Sequence, residues 1–355
     1  MRPTARGWAV VAVVVAALAT GWQHGPRSLN ALVAPLLVVS VAAVAIVAIA
    51  DRPTVRRYPV DDGFPGDRRT VAVTVETDRA IAATVRDGVG PVLTPVDGPA
   101  RFETTLEGQT RLEYDVRLEG RGRRAIGPLS ITVTDVFGLV SRRFVYEETS
   151  PVVVYPRVYE ADGAAARQLR SRVETAFRDQ RDEFDHLRAY RRGDPMRDVH
   201  WKASAKRADE DLVVAEHVAD EEAGSVTVAA EGAAASADEF ATAVATLVTC
   251  LLEQNVAVGL VLEGERRPPA TGQDHYRAIL ESLATTDGSD LEARERTAGD
   301  VFVRTDESGT TITIGNTDVA FETLRGAADA TRASRLAGLE PRPSSETAAT
   351  PEVSV

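Results

Sequence analysis

Lysine is nearly missing from this chain: Lys202 and Lys206 stand alone among 41 basic residues, and the rest are arginine. Cysteine is rarer still. The single Cys250 has no intrachain partner, which excludes a disulfide framework, and its apolar neighbours read it as a small buried hydrophobe. Aromatic residues make up 5% of the chain, so any core must be built from Val, Ala, Leu and Ile. His186, His200 and His217 share no metal-ligand spacing, which argues against a zinc site. No glycine-rich loop ends in Gly-Lys-Ser or Gly-Lys-Thr, so nucleotide hydrolysis by that route is excluded. A basic stripe is also lacking. With 53 acidic residues and a net charge of -12, the chain is not a general nucleic-acid binder, because duplex binding needs cations that neutralise phosphates.

What is present is acid, arginine, alanine and valine. Such a surface suits a high-salt cytoplasm, where the screening length falls to ~3 Å at 1 M salt. A GC-rich bacterial genome would also favour Arg over Lys. The acidic excess favours the first reading, a haloarchaeal chain.

The 355 residues are enough for two soluble domains plus anchors. Two apolar runs open the chain, Trp8 to Trp22 and Leu29 to Ala50. The second carries no charge and is long enough for a ~30 Å hydrocarbon core. The first, with Trp at each end, reads as a span; a signal peptide cut after Ala17-Leu18-Ala19 is the competing reading. Arg2 and Arg6 precede the pair and Arg52, Arg56 and Arg57 follow it, while Arg27 alone lies between. The positive-inside rule then puts both ends, and the soluble domains, in the cytoplasm.

The expected organisation is α+β and multidomain. Residues 1–52 form a transmembrane hairpin and 53–158 an antiparallel β-sandwich, read from alternating runs such as Val71–Val75, Leu112–Leu118 and Ile131–Thr134. Turn clusters at 61–67, 87–91 and 95–99 punctuate them, and Pro151–Pro156 is an exit strand. Residues 159–218 form a connector, charged and partly helical. Residues 219–333 alternate apolar strands (225–230, 256–263, about 300–303, 310–314) with helices (about 238–254, 274–284, 318–333), which implies a mainly parallel α/β sheet. The Pro- and Ser-rich tail, 334–355, is read as disordered.

The densest stretch is Phe184 to Arg207. Gly193-Asp194-Pro195 is a turn signal. Trp201 reads first as a core anchor. Arg188, Arg191, Arg192 and Arg197 either pair with nearby carboxylates or form a docking face or anion pocket. Lys202 and Lys206 sit four apart, on one helical face. Lysine kept where all else is arginine marks a place that a planar guanidinium does not fit. Ser204 and Lys202 at i, i+2 face apart on a helix, which disfavours a nucleophile–base pair.

Three segments carry a family resemblance: Arg123–Leu129 with Asp135–Leu139, Val153–Pro156, and Leu187–Lys206. The last has the form Arg188-x-Tyr190-x-x-Gly193-Asp194, then Trp201-Lys202-x-Ser204-Ala205-Lys206. Together they resemble the domain-of-unknown-function 58 family, with Lys206 replacing the usual Arg. The resemblance covers roughly 50–290. It implies a von Willebrand factor A-like domain after the motif, and a MoxR-type AAA ATPase as partner. The motif residues it carries over are Arg188, Tyr190, Gly193, Asp194, Trp201, Lys202, Ser204 and Lys206; Arg192, within the same stretch, stands with them as a candidate interaction residue. A metal-binding domain of that kind needs Asp-x-Ser-x-Ser after its first strand. The matching place here, Ala230 to Ser236, has Ala at both hydroxyl positions, so no metal or other cofactor is expected.

The expectation is therefore a non-enzymatic, membrane-anchored interaction or assembly protein with no catalytic residues. It would touch an AAA ATPase and, through two spans, the lipid bilayer. Two alternatives stay open: an anion or nucleotide receptor or enzyme using the motif around Lys202, and a cell-surface adhesin.

Overall fold

The structure, a computed structural model, describes residues 1–24, 27–161, 167, 171, 187–189, 213–215, 224–328 and 335–339. The chain divides into two compact units, Met1–Tyr155 and Pro156–Val355.

The first unit begins with a two-residue strand, β1 (Arg2–Pro3), then two apolar helices, α1 (Ala5–His24) and α2 (Arg27–Ile49). Val14, Ala17 and Val33 pack between the helices. Val11, Val13, Val15, Val38 and Val41 are exposed, so the outer faces are apolar too. Thr20 and Ser40 return their hydroxyls to the carbonyls of Ala16 and Leu36, one turn back.

Seven more strands follow: β2 (Thr54–Arg57), β3 (Arg68–Val89), β4 (Leu93–Pro95), β5 (Arg101–Leu118), β6 (Gly122–Thr134), β7 (Val140–Tyr146) and β8 (Ser150–Val154). With β1 they make one antiparallel sheet, in the order β1-β7-β6-β3-β5-β4, with β2 on β3 and β8 on β6. The two facing layers expected from the sequence are thus one curled sheet. The reason is the length of β3 and β6. The first half of β3 pairs with β2 and its second half with β6, across an irregularity between Thr77 and Ile81. Likewise β6 pairs with β8 through 122–126 and with β7 through 129–134. The alternation Val71, Val73, Val75 puts those side chains inside. Two apolar clusters result, one around Val73, Leu106, Ile131 and Phe144, the other around Val71, Leu118, Ile126 and Val154. The cluster at 87–91 turns only at its end: β3 runs on to Val89, the Leu93 amide then closes a turn on the Gly90 carbonyl at 3.4 Å, and Gly88 lets β3 approach the backbone of Gly127, where an added Cβ would meet Gly127 O at 2.6 Å.

A polar knot ties β2, β3 and β5. Arg57 donates two hydrogen bonds of 2.8 Å to Asp87, with side chains only 3% and 2% exposed. The Tyr114 hydroxyl donates to the same carboxylate at 2.8 Å. Burial, with the Asp87 charge added, pushes the Tyr114 hydroxyl far above its ordinary range. Burial works against the Arg57 charge, but Asp87 outweighs it and leaves the guanidinium's pKa raised.

In the second unit β9 (Tyr159–Ala161) comes first, and a short antiparallel pair joins β10 (Leu187–Ala189) to β11 (Val213–Ala215). Then follow β12 (Ser225–Gly232), α3 (Ala237–Glu253), β13 (Ala257–Leu262), β14 (Glu265–Ala270), α4 (Gln273–Thr285), α5 (Ala293–Arg296), β15 (Val301–Asp306), β16 (Gly309–Ile314), β17 (Thr317–Ala320), α6 (Phe321–Leu324) and β18 (Arg325–Ala328). The main sheet has the order β14-β13-β12-β15-β16-β17. Only β13, β12 and β15 run parallel; the outer strands are antiparallel, so the sheet is mixed rather than mainly parallel. Among the described residues one helical stretch, Ala234–Glu253, is long and apolar enough by length and composition to cross a membrane. It contains α3, the core helix of this unit, with Phe240, Val244, Val248 and Leu251 fully buried. Against it lies α4, whose buried Tyr276 shares a 2.6 Å hydrogen bond with Thr249. Cys250 is buried here as expected.

Two elements depart from the sequence reading. β14 contains Pro268 and Pro269, which a ladder tolerates because β14 is an edge strand. Of the helix expected over 318–333, residues 329–333 lie outside the described residues, and 318–328 give way to β17, one helical turn and β18, which pairs with β9. The register with β16 wins, helped by Thr313 donating to Asp318 at 2.7 Å.

Candidate functional site

β12 is the centre of the α/β unit. The chain leaves it through α3 for β13 on one side and later returns to β15 on the other. In open α/β sheets, ligands sit outside the carboxyl ends of strands at such a switch point. The residues there are Glu231 and Gly232 of β12, facing Arg304 and Thr305 of β15.

Glu231 is the buried charge, with a side chain 11% exposed. Arg296, in the last turn of α5, donates Nε–H to Glu231 Oε2 at 2.7 Å. Arg304 approaches Oε1 at 3.7 Å and also lies 3.7 Å from Asp306. Arg296 reaches Asp290 at 3.5 Å. One carboxylate is therefore clasped beneath two half-exposed guanidiniums. α5 holds Arg296 in place through a reciprocal cap between Glu292 and Glu295.

The strand end is stitched shut behind this pair. Gly232 and Ser289 exchange two backbone hydrogen bonds of 2.9 Å, and the Ser289 hydroxyl accepts the Glu263 amide at 2.9 Å. Gly232 also admits Phe240, since a Cβ would come within 2.8 Å of that ring. Beside it, Thr305 and Thr310 share a hydrogen bond of 2.9 Å and Thr310 donates to Glu239 at 3.0 Å. Ala233 and Ala235 bring no oxygen, and the Ser236 hydroxyl turns back to the Ala233 carbonyl at 3.2 Å. A hard divalent cation wants six or more oxygens. Glu231 is one carboxylate, already turned to guanidinium, so this donor set does not fit such an ion. Among the described residues no group of three His, Cys, Asp or Glu could hold a metal.

Of the motif residues singled out from the sequence, Arg188 lies in β10, opposite Val214 of β11. Tyr190, Arg192, Gly193, Asp194, Trp201, Lys202, Ser204 and Lys206 lie outside the described residues. In the stretch Ala230 to Ser236, Glu231 and Ser236 are the two side chains with oxygens that the sequence itself shows. Arg296 and Arg304 were not: they stand far along the chain, and nothing local marks them.

Fold and edge define an α/β unit whose switch point is filled by its own ion pairs, preceded by an antiparallel β unit with two apolar helices. A family model described as "Protein of unknown function DUF58" matches residues 186–327, which include β10 through most of β18. No curated protein matches the chain. Among solved structures the chain is similar to the ASH / PapD-like domain of human CEP192, at 12% identity over 30% of this chain and 86% of that one, TM-score 0.20. It is similar to the PKD domain of an M14-like peptidase from Thermoplasmatales archaeon SCGC AB-540-F20, at 11% identity over 30% and 97%, TM-score 0.20. A third is native E. coli alpha-2-macroglobulin, at 20% identity over 30% of this chain and 7% of that one, TM-score 0.21. Scores this low carry no inference about fold or function.

Proposed function

We propose that this is a membrane-anchored, non-enzymatic interaction or assembly protein that works with a MoxR-type AAA ATPase, with both soluble units in the cytoplasm. One observation carries the non-enzymatic reading. The switch-point edge, where a domain of this topology would hold metal or substrate, is occupied by the Glu231–Arg296–Arg304 clasp. The strand order around β12 supports reading the unit as von Willebrand factor A-like, in a variant with alanines where metal-binding hydroxyls would stand. The anchoring reading is supported by α1 and α2, apolar on their outward faces, and by arginines flanking the pair. The ATPase partner comes from the family resemblance, supported by the match over 186–327.

The test is co-purification of the full-length chain from native membranes in high salt, with and without nucleotide, beside Lys202→Ala and Arg192→Ala. Circular dichroism first establishes that each variant folds. Recovery of an AAA ATPase with the wild type, and its loss with a folded variant, supports the proposal and makes the stretch Phe184 to Arg207 the docking surface. Recovery of no ATPase under either condition refutes it.

A further inference from the structure

The turn between β6 and β7 has no part in the clasp, and its construction is unusual. Asp135 is 3% exposed and accepts the amides of Phe137 at 2.8 Å, Leu139 at 2.7 Å and Val140 at 2.6 Å. A buried carboxylate thus holds the loop rigid, while Val136 and Phe137 at its tip are 81% and 56% exposed. Two adjacent apolar side chains thus stand largely exposed on a braced tip.

The tip is fastened to the start of α1. The Thr4 amide donates to the Leu139 carbonyl at 2.9 Å, and the Thr4 hydroxyl to the Gly138 carbonyl. β1 pairs with the first residues of β7, Arg2 opposite Ser141. Gly7 allows the closeness, because a Cβ there would fall 2.2 Å from the Leu139 carbonyl oxygen. Trp8, 63% exposed, follows at once. Next along β7, Arg142 donates to the Ala50 carbonyl at 3.2 Å, and toward its far end the Val145 carbonyl accepts from Arg52 at 2.8 Å. β7 therefore runs between the start of α1 and the end of α2, the level at which both helices leave the sheet.

The charge along this line is the reverse of the rest of the chain. Residues 1–6 and 136–146 contain Arg2, Arg6, Arg142 and Arg143 and no carboxylate, in a chain with net charge -12. Arginine beside exposed aromatic and aliphatic side chains is the chemistry of a phospholipid interface: guanidinium to phosphate, rings and methyls to the acyl boundary.

We infer that the Asp135–Leu139 turn is a wedge that inserts Val136 and Phe137 into the phospholipid interface of the leaflet where α1 begins, with the β7 arginines on headgroup phosphates. This rests on the reading of α1 and α2 as membrane spans. It goes further, because it seats the sheet against the bilayer instead of leaving it tethered.

The test uses the full-length chain in vesicles of phosphatidylcholine and phosphatidylglycerol. Single cysteines are placed at Phe137→Cys, at Val38→Cys on the outer face of α2, and at Asp97→Cys, between β4 and β5 at the other end of the strand order. Each is labelled with an environment-sensitive fluorophore, and the wild type, whose Cys250 is buried, gives the labelling blank. Quenching by lipids spin-labelled at shallow and deep positions is then read. The expected result is a blue shift and shallow quenching at 137, deep quenching at 38, and neither at 97. Deep quenching at 38 with none at 137 overturns the wedge and leaves the anchor standing. Equal quenching at 137 and 97 also overturns it, since the contact would then be unspecific. No quenching at 38 sinks the anchor, and the wedge with it.

Discussion

Replacing Asp87 by alanine should open the first unit from its middle. The substitution leaves the Arg57 guanidinium, 3% exposed, without its counter-ion and the Tyr114 hydroxyl without its acceptor. Breaking a buried ion pair by removing one partner costs ~3–5 kcal/mol. An orphaned hydroxyl adds ~1–3 kcal/mol, and because both effects share one carboxylate they do not sum in full. A loss of about 4 kcal/mol follows, equivalent to roughly a thousandfold fall in amide protection. Hydrogen exchange read on β3, β5 and β6 in the full-length protein is the suitable assay, because it reads this unit separately in a chain of two compact units. Asp87→Asn, which keeps an acceptor but not the charge, should fall between. The triple variant Arg57→Met, Asp87→Leu, Tyr114→Phe, with no charge left to bury, should come back to within ~1 kcal/mol of wild type. If Asp87→Ala leaves protection in these strands unchanged, the knot contributes nothing and the reasoning fails.

Other outcomes follow from single contacts. Stability of the first unit should decline above about pH 10, the ordinary tyrosine pKa, because the unfolded chain releases the Tyr114 proton there while the folded one, its pKa raised, retains it; Tyr114→Phe should flatten that alkaline limb in pH-dependent denaturation. Gly7→Val should break the contact between α1 and the β6–β7 turn, seen as faster amide exchange at Leu139 and Val140. Gly232→Ala should destabilise the second unit by ~1–3 kcal/mol, since its Cβ must displace the Phe240 ring; a thermal melt checks it. Glu231→Gln should cost only ~0–1 kcal/mol, because both arginine partners are about half exposed, and calorimetry with Mg2+ should show no site in either form.

Where local pattern and tertiary context agree, the sequence is readable. α3 and α4 show apolar residues at helical spacing, and both formed within a residue or so of the expected bounds. β12 and β13 are short apolar runs between turn signals and are equally plain. β14 was hidden because Pro268 and Pro269 read as punctuation, and only its edge position makes them acceptable. Phe321 and Leu324 do form a helical turn, but pairing with β16 takes Thr317–Ala320 before it and pairing with β9 takes Arg325–Ala328 after it. The curl of the first sheet was also hidden. Alternation tells which face a residue takes, not that one strand of 22 residues serves two neighbours in succession. At the candidate site, Glu231 was legible as a carboxylate at a strand end. Its clasp depends on Arg296 and Arg304, and that meeting exists only after β15 has come to lie beside β12.

The attachment of the helical pair has a practical consequence. β1 precedes α1, and β2 follows α2, and each is a member of the same sheet. The pair lies between two strands of one sheet. Trimming the chain to begin after α2 also strips β1 from β7. The edge of β7, which β1 covers only at Val140 and Ser141, is then open along its length, with Val145 exposed on it. Such a fragment should associate edge to edge, and two or three charged substitutions along β7 would be the remedy.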